Sequence, residues 1–204
     1  MLALSNCHTA NQTAVDPAFY AVKDSSNENE LKNNLLVFVG EKILVVKDTS
    51  NRMSFDSKFK ARYKIIKTVY GSFKGDTIEF DVYDHYGIPP FCEYKNVLLF
   101  VKHLGNNVYI HEKYQYFDVY KTKNGNWAST YAAYWYAHNY DKKLKVPLQK
   151  IDFAEPVSID LSKLTSRQRR AYYPQPYYKI KGDTAVAIYG VYLPDLFRLK
   201  KKVF

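Results

Sequence analysis

Alternation of apolar and polar side chains lays out the first half of the chain as strands. From Leu35 it reads Leu-Leu-Val-Phe-Val-Gly-Glu-Lys-Ile-Leu-Val-Val, a β-rich run. The glycine inside it, Gly40, predicts a bulge or a tight bend at a barrel corner. Phe59, Ala61, Tyr63 and Ile65 alternate with Lys58, Lys60, Arg62 and Lys64, the period of a half-buried strand, and the doublet Ile65-Ile66 interrupts it as a bulge does. Gly71–Asp76 makes a turn. Ile78, Phe80 and Val82 then face inward, with Thr77, Glu79, Asp81 and Tyr83 outward. A second turn, Gly87-Ile88-Pro89-Pro90, leads to the apolar strand Val97–Val101, and a further strand runs from about Val108 to Tyr120. Five strands, with a short helical run near Glu28–Asn34, predict a small closed antiparallel barrel.

The second half is patterned differently. Asn124-Gly125 lies between two Tyr-rich stretches and predicts a hairpin. Trp127–Tyr140 reads as strand at its start and helix or loop after it, since Trp127, Tyr131, Tyr134, Trp135 and His138 lie at helical spacing. Pro147 and Pro156 bracket a loop-rich connection. Asp160–Arg170 reads as a short polar helix, with Thr165 and Gln168 forming a capping box and Pro174 and Pro176 ending it. Lys181-Gly182-Asp183 turns into a strand over Thr184–Tyr192, and Pro194–Lys202 is a basic turn or helix. The expected fold is mainly β: a five-stranded OB-like barrel carrying a basic, Tyr-rich, β-rich C-terminal extension with short helices. Residues 1–30 form a leader, 31–122 the barrel, and 123–204 the extension, packed on the barrel or extending its sheet.

Charge sharpens this division. The 204 residues carry a formal charge of +10. Residues 1–102 hold 13 Lys/Arg against 12 Asp/Glu, a net of +1, while residues 103–204 hold 17 against 8, a net of +9. Tyrosine divides 6 to 14 across the same boundary. A basic, aromatic half suits an anionic or π-rich partner, although Lys and Tyr are also common on exposed strands. No apolar run approaches the ~20 residues of a membrane helix. Met1–Asn6 lacks a basic region and is too short for a complete secretory signal. It is similar to the tail of a bacterial export signal ahead of a lipoprotein-type cysteine, Cys7, from which Asn6 departs. Periplasmic or secreted localisation follows as an expectation, with lipidation at Cys7 as one form of it.

Cys7 and Cys92 are the two cysteines, too few for a closed structural zinc site and without a Cys-x-x-Cys spacing. One disulfide and two buried thiols both fit such a pair. A bridge closing so long a loop would contribute roughly 4–5 kcal/mol in the loop-entropy account.

Val37-Phe38-Val39-Gly40, Tyr63, Val69-Tyr70-Gly71-Ser72-Phe73-Lys74-Gly75-Asp76, Cys92 and Tyr94-Lys95-Asn96-Val97-Leu98-Leu99-Phe100 follow one another in an order that resembles the netrin-module group. That group includes the tissue inhibitors of metalloproteinases and their bacterial relatives. The resemblance covers about residues 7–120 and rests on order and spacing. It implies an OB-type barrel, an oxidising compartment and a Cys7–Cys92 disulfide. The inhibitors begin Cys-x-Cys and chelate the protease zinc through that terminus. Here Cys7-His8-Thr9 has one cysteine with six residues ahead of it, so protease inhibition carries over only if processing exposes Cys7.

Enzyme chemistry finds little footing: no nucleophile elbow, phosphate-binding glycine loop, zinc-protease helix or dinucleotide fingerprint is present. No cofactor or metal is implied. Asp84 and His85 are the densest polar pair, fit either for proton relay or for capping a turn. His103, His111 and His138 are isolated. The expected interface is Arg167, Arg169, Arg170, Tyr172, Tyr173, Tyr177 and Tyr178, facing a protein or an anionic envelope component. Lys60, Arg62 and Lys64 form a basic barrel face that supports a rival reading, a single-stranded nucleic-acid binder of OB type.

Overall fold

The computed structural model describes residues 34–49, 55–132 and 148–201. Cys7, Asn11, Trp135, His138 and the helical run expected near Glu28 lie outside these segments.

Five strands close a barrel: β1 (Leu35–Lys47), β2 (Ser57–Tyr70), β3 (Thr77–Asp84), β4 (Asn96–His103) and β5 (Tyr109–Asp118). Their order is β1-β2-β3-β5-β4, with β4 returning to β1. This is the expected OB-like barrel, with one amendment: β3 and β5 meet in parallel, because β4 intervenes in sequence and pairs back to β1. The predicted corner is present. Val39 pairs with Lys67 and Gly40 with Ile65, which leaves Ile66 as the extra residue of a bulge.

Two faces of the barrel wall are buried for different reasons. Leu36 and Phe38 from β1, Phe59, Ala61 and Tyr63 from β2, Ile78, Phe80 and Val82 from β3, and Val97, Leu99 and Val101 from β4 fill the interior. Phe91, from the short 3-10 turn Pro90–Glu93, plugs one end. The alternate residues of β1 and β4, namely Leu35, Val37, Val39, Leu98 and Phe100, point outward and are buried too. They pack against Phe117, Val119, Trp127, Val191, Leu193 and Leu196 of the following chain.

That following chain builds two small sheets. β6 (Tyr120–Lys121), β7 (Trp127–Thr130), β8 (Gln149–Lys150), β9 (Ser158–Asp160), β10 (Tyr178–Lys181), β11 (Thr184–Ala187) and β12 (Tyr189–Tyr192) are joined by helices α1 (Ser166–Tyr172) and α2 (Leu193–Lys201). The sheet β6-β7-β12-β8 lies beside a second one, β10-β11-β9. The Asn124-Gly125 turn joins β6 to β7 as expected.

Several boundaries move. The barrel ends at Asp118, and Tyr120–Lys121 already pairs with β7, so the extension begins a few residues before 123. The single strand expected over Thr184–Tyr192 is two strands in different sheets, since Ala185 and Ala187 pack into the extension's own core while Val191 packs on the barrel. The polar helix starts at Ser166, not Asp160: Asp160 closes β9 and accepts the Ser162 N–H at 2.8 Å. The Thr165–Gln168 capping box forms as predicted.

β5 carries a wide irregularity. Leu99 faces Tyr116 and Val101 faces His111, so Glu112–Gln115 bulges out, with Tyr114 at φ 63°. His111 Nε2 spans the bulge to the Gln115 carbonyl at 3.0 Å, and its ring lies 4.7 Å from Phe91. Burial, with the Lys200 charge adding to it, holds the imidazole down to about 4.

Two measurements follow. Gly71 has φ +76°, and a Cβ there would sit 2.4 Å from the Leu35 carbonyl oxygen; at Gly125, φ +81°, a Cβ meets nothing within 4 Å. Gly125→Ala should cost about 1–2 kcal/mol through its backbone alone, and Gly71→Ala roughly 1–3 kcal/mol more through overpacking, read from denaturant midpoints. The unfolded chain protonates His111 near its ordinary 6.5 while the folded chain stays neutral to about 4, so stability falls as pH drops through that window. Asp84 and Asp118, whose carboxyls burial pushes up, act in the opposite sense and remain in both chains compared. His111→Gln should therefore lose roughly 2–3 kcal/mol less than the parent between pH 7 and pH 4.5.

Candidate interaction surface

The seven residues expected at an interface fall on α1 and the approach to β10, and the structure sorts them into two groups. Arg167 and Arg170 are exposed, one turn apart on α1, and Tyr172 is 40% exposed. Arg169 is held inward, with its Nε donating to the Leu164 carbonyl at 3.0 Å and its guanidinium 2.7 Å from Asp183 Oδ1. It ties the helix to the β10–β11 turn.

The tyrosines beyond the helix serve packing. Tyr178 is 2% exposed, and its hydroxyl donates to the Tyr131 carbonyl. Tyr177 stacks on Tyr131 at 4.0 Å, and Tyr173 meets Tyr178 edge-on at 5.1 Å. All three belong to the cluster of Ala128, Ile151, Phe153, Val157, Leu161, Ala185 and Ala187. Tyr178 is thus corrected from interface to core, and Tyr173 and Tyr177 are half-buried. Burial raises the phenols of Tyr173 and Tyr178. The physical reason is that a lobe with short strands and few large aliphatics fills its interior with rings.

Sequence reading missed Lys179 and Lys181, exposed on β10; their i, i+2 spacing was the available signal. Residues 158–183 hold six Lys/Arg (Lys163, Arg167, Arg169, Arg170, Lys179, Lys181) against Asp160 and Asp183, a net of +4. Asp160 is engaged by Ser162 and Asp183 by Arg169. Arg167, Arg170, Lys179 and Lys181 have no carboxylate partner among the described residues.

The barrel's basic face is neutralised. Lys60, Arg62 and Lys64 point outward from β2 as predicted. Lys60 pairs with Asp81 and Arg62 with Glu79 of β3, while Lys58 reaches Asp81 at 3.0 Å. The paired lysines hold the Asp81 carboxyl below the usual carboxylate range against the opposing effect of its burial. Lys64 stands between Thr77 of β3 and Glu41 of β1, and the Glu41 carboxylate pairs with Lys95.

Asp84 and His85 spend their polar atoms on different partners. Asp84 accepts the Tyr86 N–H at 2.8 Å and closes the turn. His85 stacks on Phe55 at 4.3 Å, with Nδ1 3.5 Å from Asp56 Oδ1; Asp56 also takes Lys113 at 2.7 Å. Sequence reading could not join Asp56 to Lys113 across so long a separation. His103 stacks on Tyr109 at 4.7 Å in the wall of a cavity of about 320 Å³ beside Leu35 and Tyr70. Cys92 is buried in the 3-10 turn, and Cys7 lies outside the described residues. Among those residues no helix is long and apolar enough to cross a membrane. Compared with protein-family models, curated proteins and solved structures, the chain finds no match.

Proposed function

We propose that the chain is a non-enzymatic, exported binding or assembly module whose C-terminal lobe contacts an anionic envelope component or an acidic protein. One observation carries this reading: Arg167, Arg170, Lys179 and Lys181 stand in one small lobe, exposed and without an acidic partner among the described residues. Solvated, unpaired cations retain their full attraction for an incoming anion, whereas cross-strand pairs must first be separated. Arg167, Arg170 and Tyr172 make the contact. Arg169, Tyr173, Tyr177 and Tyr178 hold the helix against the lobe.

The exported compartment rests on the form of Leu2–Cys7 and on the netrin-module resemblance, which also supplies the Cys7–Cys92 bridge. The nucleic-acid alternative draws on the barrel topology. Its usual face carries cations already paired across β2 and β3, which lowers its attraction for phosphate.

Arg167→Gln with Arg170→Gln should leave stability within about 0.5 kcal/mol and weaken partition onto vesicles rich in anionic headgroups, or onto envelope fractions of the native host, by about thirtyfold. Equal retention of the double variant would place the working surface elsewhere. Arg169→Ala, by contrast, should cost about 1 kcal/mol of stability through its lost hydrogen bond. Intact mass of the protein from its native host, alkylated with and without reductant, tests the compartment: one bridged pair is expected, and two alkylated thiols before reduction would sink the exported reading.

A further inference from the structure

β1 outruns its partner on one side. β4 pairs with it only to Glu41, opposite Asn96, and the Lys42 N–H still reaches the Lys95 carbonyl at 3.0 Å. From Ile43 to Lys47, β2 is the only strand paired with β1 among the described residues. Antiparallel pairing uses the backbone groups of alternate residues on one side, so among the described residues the other side of this stretch is an open edge. Its side chains are apolar and exposed: Ile43 51%, Leu44 46% and Val46 43%. The register jumps from Lys42↔Tyr63 to Leu44↔Arg62, which leaves Ile43 bulged. Val45 turns to the barrel core, while Leu44 and Val46 stand outward beside Arg62 and Lys60.

The ends of the edge are cationic. Lys42 and Lys47 are both exposed and neither has a carboxylate partner among the described residues; the Lys42 ammonium donates to the Cys92 carbonyl, which leaves Lys47 as the less engaged of the two. A second copy laid antiparallel would set Lys47 against Lys42 at both ends and join two chains of charge +10 each. The same lysines complement carboxylates. We infer that the Ile43–Lys47 edge of β1 is a strand-addition site for an extended, acidic-flanked, alternating apolar segment of another polypeptide. The segment's backbone would extend the sheet beyond β1, its apolar side chains would cover Leu44 and Val46, and its carboxylates would meet Lys42 and Lys47. The inference uses none of the residues of the α1 lobe and stands apart from the reading proposed above.

The test titrates the full ¹⁵N-labelled chain with a capped peptide, Glu-Glu-Val-Thr-Val-Thr-Val-Thr-Glu-Glu. The expected result is amide shifts and slowed hydrogen exchange concentrated on Ile43–Lys47. A peptide of the same charge with two central prolines should leave those amides unmoved, and Lys47→Glu should weaken binding about threefold. Silent amides at saturating peptide would overturn the inference, as would equal binding of the proline peptide. So would amides already protected in the free chain, which would put a segment of the chain itself on the edge. A dimer whose formation protects the same amides would put a second copy there and overturn it equally.

Discussion

Burial of β1 on both faces over Leu35–Val39 is the constraint on which the rest of the structure hangs. Leu36 and Phe38 belong to the barrel interior, Leu35, Val37 and Val39 to the layer beneath β7, β12 and α2. β4 repeats the pattern, with Leu98 and Phe100 outward between Val97, Leu99 and Val101. Each outward side chain contributes roughly 1.5–3 kcal/mol only while something covers it. The C-terminal half is therefore part of the barrel's outer wall. Past Glu41, where that cover and β4 both stop, the same strand exposes Ile43, Leu44 and Val46.

Cations of one formal kind meet four fates, and composition alone does not separate them. Lys60 and Arg62 are matched across the sheet by Asp81 and Glu79. Arg169 is spent on Leu164 and Asp183. Lys200 lies 1% exposed with its ammonium 5.2 Å from the Phe117 ring centre, and burial lowers its proton affinity well below the ordinary range. Arg167, Arg170, Lys179 and Lys181 remain solvated. The net charge of +10 overstates what a partner meets, because part of it is paired across the sheet, spent within the lobe or buried.

The barrel was legible because its signals are local. Period-2 alternation over Phe59–Ile65 and Ile78–Val82 reports one buried face, and the doublet Ile65-Ile66 reports the bulge that turns the corner. The unbroken runs Leu35–Val39 and Val97–Val101 carry the second burial as well, since a run without alternation marks a strand covered on both sides. The interface was only half legible. Arg167 and Arg170 lie outward by helical period once the capping box sets the start of α1. Tyr177 and Tyr178 could not be placed the same way, because their ring partner, Tyr131, is more than forty positions distant. The same holds for the acids opposite Lys60 and Arg62, which become neighbours only when the β2–β3 register is known.

An OB-like topology and a basic composition together invite a nucleic-acid reading, and the physical requirements of such binding weigh against letting topology decide. Sequence-tolerant single-strand binding needs rings with a free face beside cations free to meet phosphate. On the outward face of β2 and β3 the ring is Tyr83, with the Lys58 ammonium 5.8 Å from its centre, and that ammonium is also bound to Asp81. In the lobe the cations are free, yet Tyr173, Tyr177 and Tyr178 are occupied against one another or against Tyr131 and Tyr189, leaving Tyr172 as the exposed ring. Free charge and free rings are thus largely separated in this fold. A partner recognised by charge and by backbone pairing makes fuller use of its surfaces than one recognised by stacking.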